Sequence, residues 1–349
     1  MKIKEAELKK TAEEILVSHG AAPEESEIVA DILVAAEMRG IKTHGLKFLP
    51  IAIERINGGL IDIPTELKVL NDDGAVTHMD GGNGLGQFAA AKSMQSAIDK
   101  AEKFGLGLTL TRNTNHIGIL SYYSSMAAER GMVGICMSNS ASAMAPWGGV
   151  EAFFGTNPFS VAVPRKENSP IVLDMSTSIV ARGKIRYANA VKEKIPLGWA
   201  IDKEGNPTSD PASALEGSLL PIGGPKGYGM ALFIDIICGL LSGSSYGKEI
   251  KTFHKPLGPT GVGIMTMAVD IKRFMPEERF RDLLEEYVGQ IKSSKKVSGN
   301  DTIYMPGEIE AERELENLKE GVELDSYILE QIKALLKEKN IEEIVGTQS

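Results

Sequence analysis

Apolar residues in the first sixty positions recur at helical spacing. Leu8, Ala12, Ile15 and Leu16 fall on one face of a helix over 5–17, and Gly20 follows as its stop. Pro23 opens a second stripe of Ile28, Ile32, Leu33 and Ala36, which ends before Gly40. A third stripe, Leu46, Leu49, Ile53 and Ile56, ends at Gly58-Gly59, so His44 falls in the break between two helices.

From about residue 65 the period changes. Strands are predicted over 76–79, 107–111, 133–137, 159–163, 171–173 and 263–270, and helices over 87–103, 122–130, 228–241, 277–293 and 324–339. No repeat, low-complexity tract or linker interrupts them. The pattern is α/β: a helical part over 1–64, an α/β part over 65–310, and a helical tail over 311–349 that returns to the first. The longest apolar run, 230–241, carries Asp235. It falls short of the roughly 20 residues a membrane span needs and reads as a buried helix.

Composition narrows the function classes. Among 349 residues, 42% are hydrophobic and 24% charged, as in folded globular chains. The net charge of -9 and the lack of a basic block exclude nucleic acid and anionic membranes as natural partners. The first residues, Met1-Lys2-Ile3-Lys4-Glu5, lack the apolar segment of a secretory signal. Cys136 and Cys238 sit in apolar surroundings and read as buried reduced thiols of a cytoplasmic protein. Two isolated cysteines make no metal site.

The chemistry-bearing positions cluster in turns. No Gly-x-Gly-x-x-Gly run follows a strand, and Gly81-Gly82-Asn83-Gly84-Leu85-Gly86 has the wrong spacing, so neither a Rossmann dinucleotide site nor a P-loop is supported. Of five histidines, His44 and His116 lie in polar turns, where imidazoles act as proton carriers or merely cap. Turn residues crowd Ser138-Asn139-Ser140, 145–149, 155–158 and the strand end Asp174-Met175-Ser176; hydroxyls there suit ribose or phosphate, and also ordinary turns. Gly223-Gly224-Pro225-Lys226-Gly227 opens an apolar helix, a sound place for an anion or simply a glycine turn.

Taken in order, these segments resemble the type 2 malate/L-lactate dehydrogenase family. The matches are Arg39-Gly40…His44-Gly45, Asn115-His116-Ile117-Gly118, Ala145-Pro146-Trp147-Gly148-Gly149, Gly155-Thr156-Asn157-Pro158, Leu173-Asp174-Met175-Ser176, Gly224-Pro225-Lys226-Gly227-Tyr228-Gly229 and Pro306-Gly307-Glu308. The resemblance implies a fold that is not a Rossmann fold. It pairs a helical domain with an α/β domain whose sheet is largely antiparallel, in a homodimer with the active site near the interface. It implies hydride transfer between NAD or NADP and a small 2-oxo or 2-hydroxy acid, without metal, with His44 and His116 in proton transfer. Ser140, Asp174, Met175, Ser176, Lys226, Gly227, Pro306, Gly307 and Glu308 would hold the cofactor, and Thr43, Lys47, Phe48, Thr156 and Lys184 the substrate. The same fold also serves cyclic-imine reductases, and a non-catalytic dinucleotide-binding homologue is the reading from another class. Two departures concern the substrate: Phe48 and Ala52 stand where the family often has Arg and Tyr. Phe48 predicts a preference for a 2-oxo acid with an apolar tail over compact diacids such as oxaloacetate. Lys184, where imine reductases tend to carry an acid, points to hydroxy acids.

Overall fold

The computed structural model describes residues 2–341. A short strand β1 (Lys2–Ile3) leads into α1 (Glu5–Ser18), α2 (Pro23–Met38) and α3 (Phe48–Asn57). Their three stripes meet in one core with Leu8, Ile15, Leu33, Leu49 and Ile53 all essentially inaccessible. Next come β2 (Lys68–Asp73), β3 (Val76–Asp80), α4 (Gly86–Phe104), β4 (Leu106–Thr114), α5 (Leu120–Glu129), β5 (Met132–Ser138), β6 (Phe159–Val163) and β7 (Ile171–Met175). An excursion through α6 (Arg182–Val191), β8 (Ala200–Ile201), α7 (Pro211–Glu216), β9 (Ser218–Leu219) and α8 (Pro225–Asp235) precedes β10 (Val262–Asp270). The chain continues through α9 (Glu277–Lys292), α10 (Glu308–Glu320), β11 (Val322–Glu323) and α11 (Ser326–Glu338).

The central sheet has seven strands in the order β2-β3-β4-β10-β5-β6-β7. Neighbours run antiparallel except β3 and β4, which are parallel and joined by α4, as a parallel pair requires a crossover. The late strand β10 lies at the centre. This is the largely antiparallel, non-Rossmann α/β fold expected, and it accounts for the missing glycine fingerprint.

One sheet face packs under α4 and α5, with Ala90, Met94, Ala97 and Tyr123 in the core. The helices come so close that a Cβ on Gly107 would lie 1.9 Å from the Ala97 carbonyl oxygen. The other face is covered by α8 and a π-helical turn (Ile236–Leu241), through Ile234, Cys238 and Met265. Here the structure corrects the buried helix expected over 230–241: Phe233, Leu240 and Leu241 are 65%, 55% and 66% exposed. The helix starts earlier, with Pro225 at its first turn, where proline's missing N–H costs nothing. It widens after Asp235, where the Ser242 hydroxyl donates to the Cys238 carbonyl and that carbonyl sits against Gly263. Both cysteines are buried and free.

At the ends of the described chain, β11 pairs antiparallel with β1, and Val322, Leu324, Ile332 and Leu336 enter the same core as α1–α3. The sequence reading lacks β2, which is exposed throughout, and α6, which buries only Ile185 and Ala188. It also lacks β8 and β9, which are buried but only two residues long. No helix among the described residues is long and apolar enough to cross a membrane.

Candidate active site

A cavity of about 1450 Å³ opens between the α2–α3 turn, the start of α5, the ends of β5 and β7, and the first turns of α6 and α10. Thr43, His44, Lys47, Phe48, His116, Ser140, Thr156, Asp174, Met175, Ser176, Pro306 and Gly307 all line it. Lys184, Lys226, Gly227 and Glu308 do not. Lys184 and Lys226 are exposed, and Gly227 is buried where a Cβ would meet the Ile222 carbonyl at 2.3 Å. The Glu308 carboxylate is held by Arg165, Lys292 and the Met305 N–H.

The histidine end rests on two tight turns. After α2 the chain reverses through Gly40, at φ 74, and the His44 N–H closes the next turn on the Ile41 carbonyl at 2.9 Å. Beneath this turn lies the buried carboxyl of Glu37, which accepts the Leu46 N–H at 2.9 Å. A Cβ at position 45 would stand 2.2 Å from that carboxyl, which is why His44 must be followed by glycine. His116 leaves the end of β4, and the Gly118 N–H donates to its Nδ1 at 3.2 Å. In the neutral ring this places the proton on Nε2. His44 Nδ1 pairs with Thr43 Oγ1 at 2.9 Å. The two imidazoles are stacked with centroids 5.7 Å apart. Phe48, 4% exposed, lies against His116 at 3.9 Å and 10°.

Burial governs the electrostatics. It pushes His44 down to about 4, helped by Lys47 and His254, and it holds His116 well below its usual value. His254 is likewise lowered to about 4 by burial, then by Arg186 and Lys47. Lys47 is lowered by burial and by Arg186. Burial lifts Glu37 to about 7. Both site histidines are therefore neutral at neutral pH.

Several lining residues were not singled out from sequence. Arg182 and Arg186 come from α6, four positions apart and on one face. Arg182 is fixed by the Ser142 and Leu215 carbonyls at 3.2 and 2.9 Å. Phe253 and His254 close over Phe48 at 5.8 and 5.6 Å. The arginine spacing was available as a signal, but α6 was unread; for the 253–254 loop the sequence offers none.

The opposite end is built mainly from backbone. The Pro306 carbonyl accepts the Val172 N–H at 2.9 Å, which hangs the 304–307 segment on β7. Gly307 has φ 89 there, and its Cβ would lie 3.0 Å from Val172. Asp174, surrounded by protein except towards the cavity, accepts the Ser121 N–H at the start of α5 at 2.7 Å. Buried Asn157 accepts the Ser140 N–H at 3.1 Å and donates to the Ala231 carbonyl at 2.9 Å, so within the 155–158 motif Asn157 is scaffolding for Ser140.

A cavity this long, with hydroxyls and a carboxylate at one end and neutral imidazoles beside cations at the other, fits an extended cofactor with ribose hydroxyls and an acid substrate. The fold and site define a nicotinamide-dependent oxidoreductase of the non-Rossmann kind. The chain belongs to the malate/L-lactate dehydrogenase family, whose model matches residues 3–333. It is 39% identical to an L-sulfolactate dehydrogenase of Methanocaldococcus jannaschii over 339 residues, 97% of each chain. The solved structure of the sulfolactate dehydrogenase from that organism superposes with a TM-score of 0.92 at 38% identity, covering 98% of both. A malate dehydrogenase of Pyrococcus horikoshii is 37% identical over 94% of this chain and 92% of its own. A piperideine-2-carboxylate reductase structure from Pseudomonas syringae is less alike, with a TM-score of 0.85 and 26% identity over 96% and 99%. Other relatives are named for NAD(+) or for NADP(+). This chain is an NAD(P)-dependent hydroxy acid dehydrogenase.

Proposed function

We propose that His44 is the proton-transfer residue and His116 the group that polarises the reacting oxygen. The observation that carries this is the pair of desolvated imidazoles, 5.7 Å apart on the cavity wall, with different Nδ1 partners. With Gly118 donating to its Nδ1, neutral His116 offers Nε2–H, a donor suited to a carbonyl or alkoxide oxygen. In the tautomer with its proton on Nδ1, neutral His44 donates to Thr43 Oγ1 and keeps Nε2 free as a base for hydroxy-acid oxidation. Protonated, His44 returns the proton in the reverse direction. Bound nicotinamide supplies or accepts the hydride. Ser140, Asp174, Met175, Ser176, Pro306 and Gly307 hold the dinucleotide, and Lys47 and Thr156 face the substrate.

We also infer that the enzyme acts as a cytoplasmic homodimer. The apolar outer face of α8 and its π turn, with Phe233, Ile236, Leu240 and Leu241, is the surface a second copy would cover. Lys226, exposed at the start of α8, would then reach a dinucleotide only across that interface. The assignment is tested by following NADH and NADPH oxidation with pyruvate, oxaloacetate, sulfopyruvate and piperideine carboxylate, alongside light scattering. Turnover of oxo acids by a dimer is the expected result. No turnover with any oxo acid would return the chain to a dinucleotide-binding homologue.

A further inference from the structure

The loop 251–258 precedes β10 and walls the cavity at its histidine end. Its inner side is aromatic: Phe253 lies 5.6 Å from the His116 ring and 5.8 Å from Phe48, and His254 lies 5.6 Å from Phe48. Its outer side faces water, with Lys255 and Leu257 exposed. The Lys251 N–H meets the Thr260 carbonyl at 3.1 Å and closes the base of the loop. Beyond that base, among the described residues, the hydrogen bonds that tie 252–258 to the rest of the chain both come from Arg55. Its guanidinium donates to the Lys255 carbonyl at 3.1 Å and to the Gly258 carbonyl at 2.8 Å. It also sits over the Phe253 ring, with Cζ 5.0 Å from the centroid.

Arg55 is 3% exposed, its Nε is buried without a partner, and it forms no ion pair among the described residues. A buried guanidinium with no carboxylate to offset its desolvation is costly, and here its polar contacts all go to one loop. Helix geometry aligns the parts. Phe48 and Arg55 are seven residues apart on α3, two turns along one face with small Ala52 between them. Phe253 spans that interval and touches both. We propose that Arg55 is a positioning residue for the reaction: it latches the 251–258 loop over the histidine pair, so that Phe253 shuts water out of the place where the proton moves. Exclusion of water strengthens the hydrogen bonds made to the reacting oxygen. Arg55 acts through Phe253 and touches neither histidine. The inference rests on the reading of His44 and His116 as the reaction centre.

The test compares wild type with Arg55→Met and Arg55→Lys, and adds Phe253→Ala, which removes the ring and keeps the latch. Methionine fills the buried space without the charge, so Arg55→Met keeps the wild-type melting temperature within a few degrees. Amide hydrogen exchange over 252–258 reads the loop without turnover. It speeds at least about tenfold in Arg55→Met, the order expected for loss of hydrogen bonds to a charged group, and by less in Arg55→Lys. In Arg55→Met and Phe253→Ala, kcat/KM for the oxo acid falls by a similar factor while NADH affinity is unchanged. The pH profile gives a third readout. Burial, with Lys47 and His254, pushes His44 down to about 4. The groups around it are Glu37 on α2, Lys47 before α3, His116 after β4, His254 on the loop and Arg186 on α6. Of these only His254 leaves with the loop, and its departure raises His44, as readmitted water does. The acid limb of kcat/KM for hydroxy-acid oxidation, which needs neutral His44, therefore moves up towards 6.5 in Arg55→Met. Unchanged loop exchange in Arg55→Met overturns the latch. Faster exchange with kcat/KM and the acid limb unmoved overturns its link to the reaction. If Arg55→Met melts early, the same readouts in Arg55→Lys and Phe253→Ala decide. Faster exchange in Arg55→Met, in a chain whose wild type reduces no oxo acid, leaves the latch standing and removes the histidine reading.

Discussion

At the histidine end of the cavity the wall is made of side chains: His44, His116, Phe48, Lys47 and Arg186, stacked or brought close by the α2–α3 turn, β4 and α6. At the far end it is largely backbone and small residues: Ser140 on Asn157, the Asp174 strand end, and the 304–307 segment bonded along β7. The first arrangement suits chemistry, since proton transfer needs particular functional groups at fixed separations. The second suits grip, since hydroxyls and amides recognise ribose and phosphate without titrating. Damage to the first should appear in turnover, and damage to the second in cofactor affinity.

The largest expected effect is at His44. His44→Ala lowers kcat by about 100-fold or more, the usual scale of general acid–base catalysis, while NADH binding followed by fluorescence is unchanged. A parallel loss of NADH affinity would break the division between the two ends. Gly307→Ala is the converse: its left-handed backbone and the 3.0 Å approach to Val172 leave no room for a methyl. It raises the NADH dissociation constant roughly tenfold, equivalent to the 1–3 kcal/mol of a strained position, with kcat at saturation nearly kept.

A smaller effect sharpens what holds the histidine end in place. Glu37 keeps its proton to about pH 7 in the folded chain, against 4.5 for an ordinary carboxyl. Its raised value favours the folded state fully below about pH 4.5, and that contribution disappears as pH rises through 7. The neutral histidines act the other way and favour folding above their unfolded value of 6.5, a contribution lost on acidification. Between about pH 4.5 and 7 the two contributions oppose one another, so the melting temperature of the wild type should rise less steeply with pH than the histidines alone would dictate. Glu37→Gln removes the opposing contribution and should steepen the rise of melting temperature over that window. The same pH dependence in wild type and Glu37→Gln would show that Glu37 does not titrate with a raised value.

The smallest effect concerns the Thr43–His44 contact. Thr43→Ser keeps the hydroxyl and should change kcat less than about threefold, whereas Thr43→Val should lower kcat by roughly tenfold, the worth of one hydrogen bond. Equal kcat in the two variants would show that Thr43 does not orient the imidazole.

How far the sequence could be read follows from what each element buries. α1 to α3 and the inner strands announce themselves because their stripes meet dry cores. β2 and α6 carry no such stripe and were passed over. The turn motifs around His44 and His116 could be picked out because both histidines sit among polar, turn-forming residues, His116 directly after a predicted strand. The pairing of Gly45 with Glu37 could not, since nothing local says that a carboxyl from the preceding helix fills the space of a missing methyl. Lys184 was taken as a substrate residue and Arg186 was not, although two positions along a helix face different ways. Only with α6 placed does the distinction emerge. The far end was legible mainly through resemblance, because backbone contacts such as Val172 to Pro306 leave no trace in side-chain identity.

The pairing of β1 with β11 and the shared core of α1–α3 with Ile332 and Leu336 have a consequence for the order in which the enzyme matures. A ribosome delivers roughly 5–20 residues per second, amino end first. The turn that carries His44 thus emerges nearly 300 residues before Ile332 and Leu336, which close the core it shares. Strand β10, which divides β4 from β5, also arrives late. The His44 turn therefore waits on an unfinished support until β10 and the 322–336 segment have followed it.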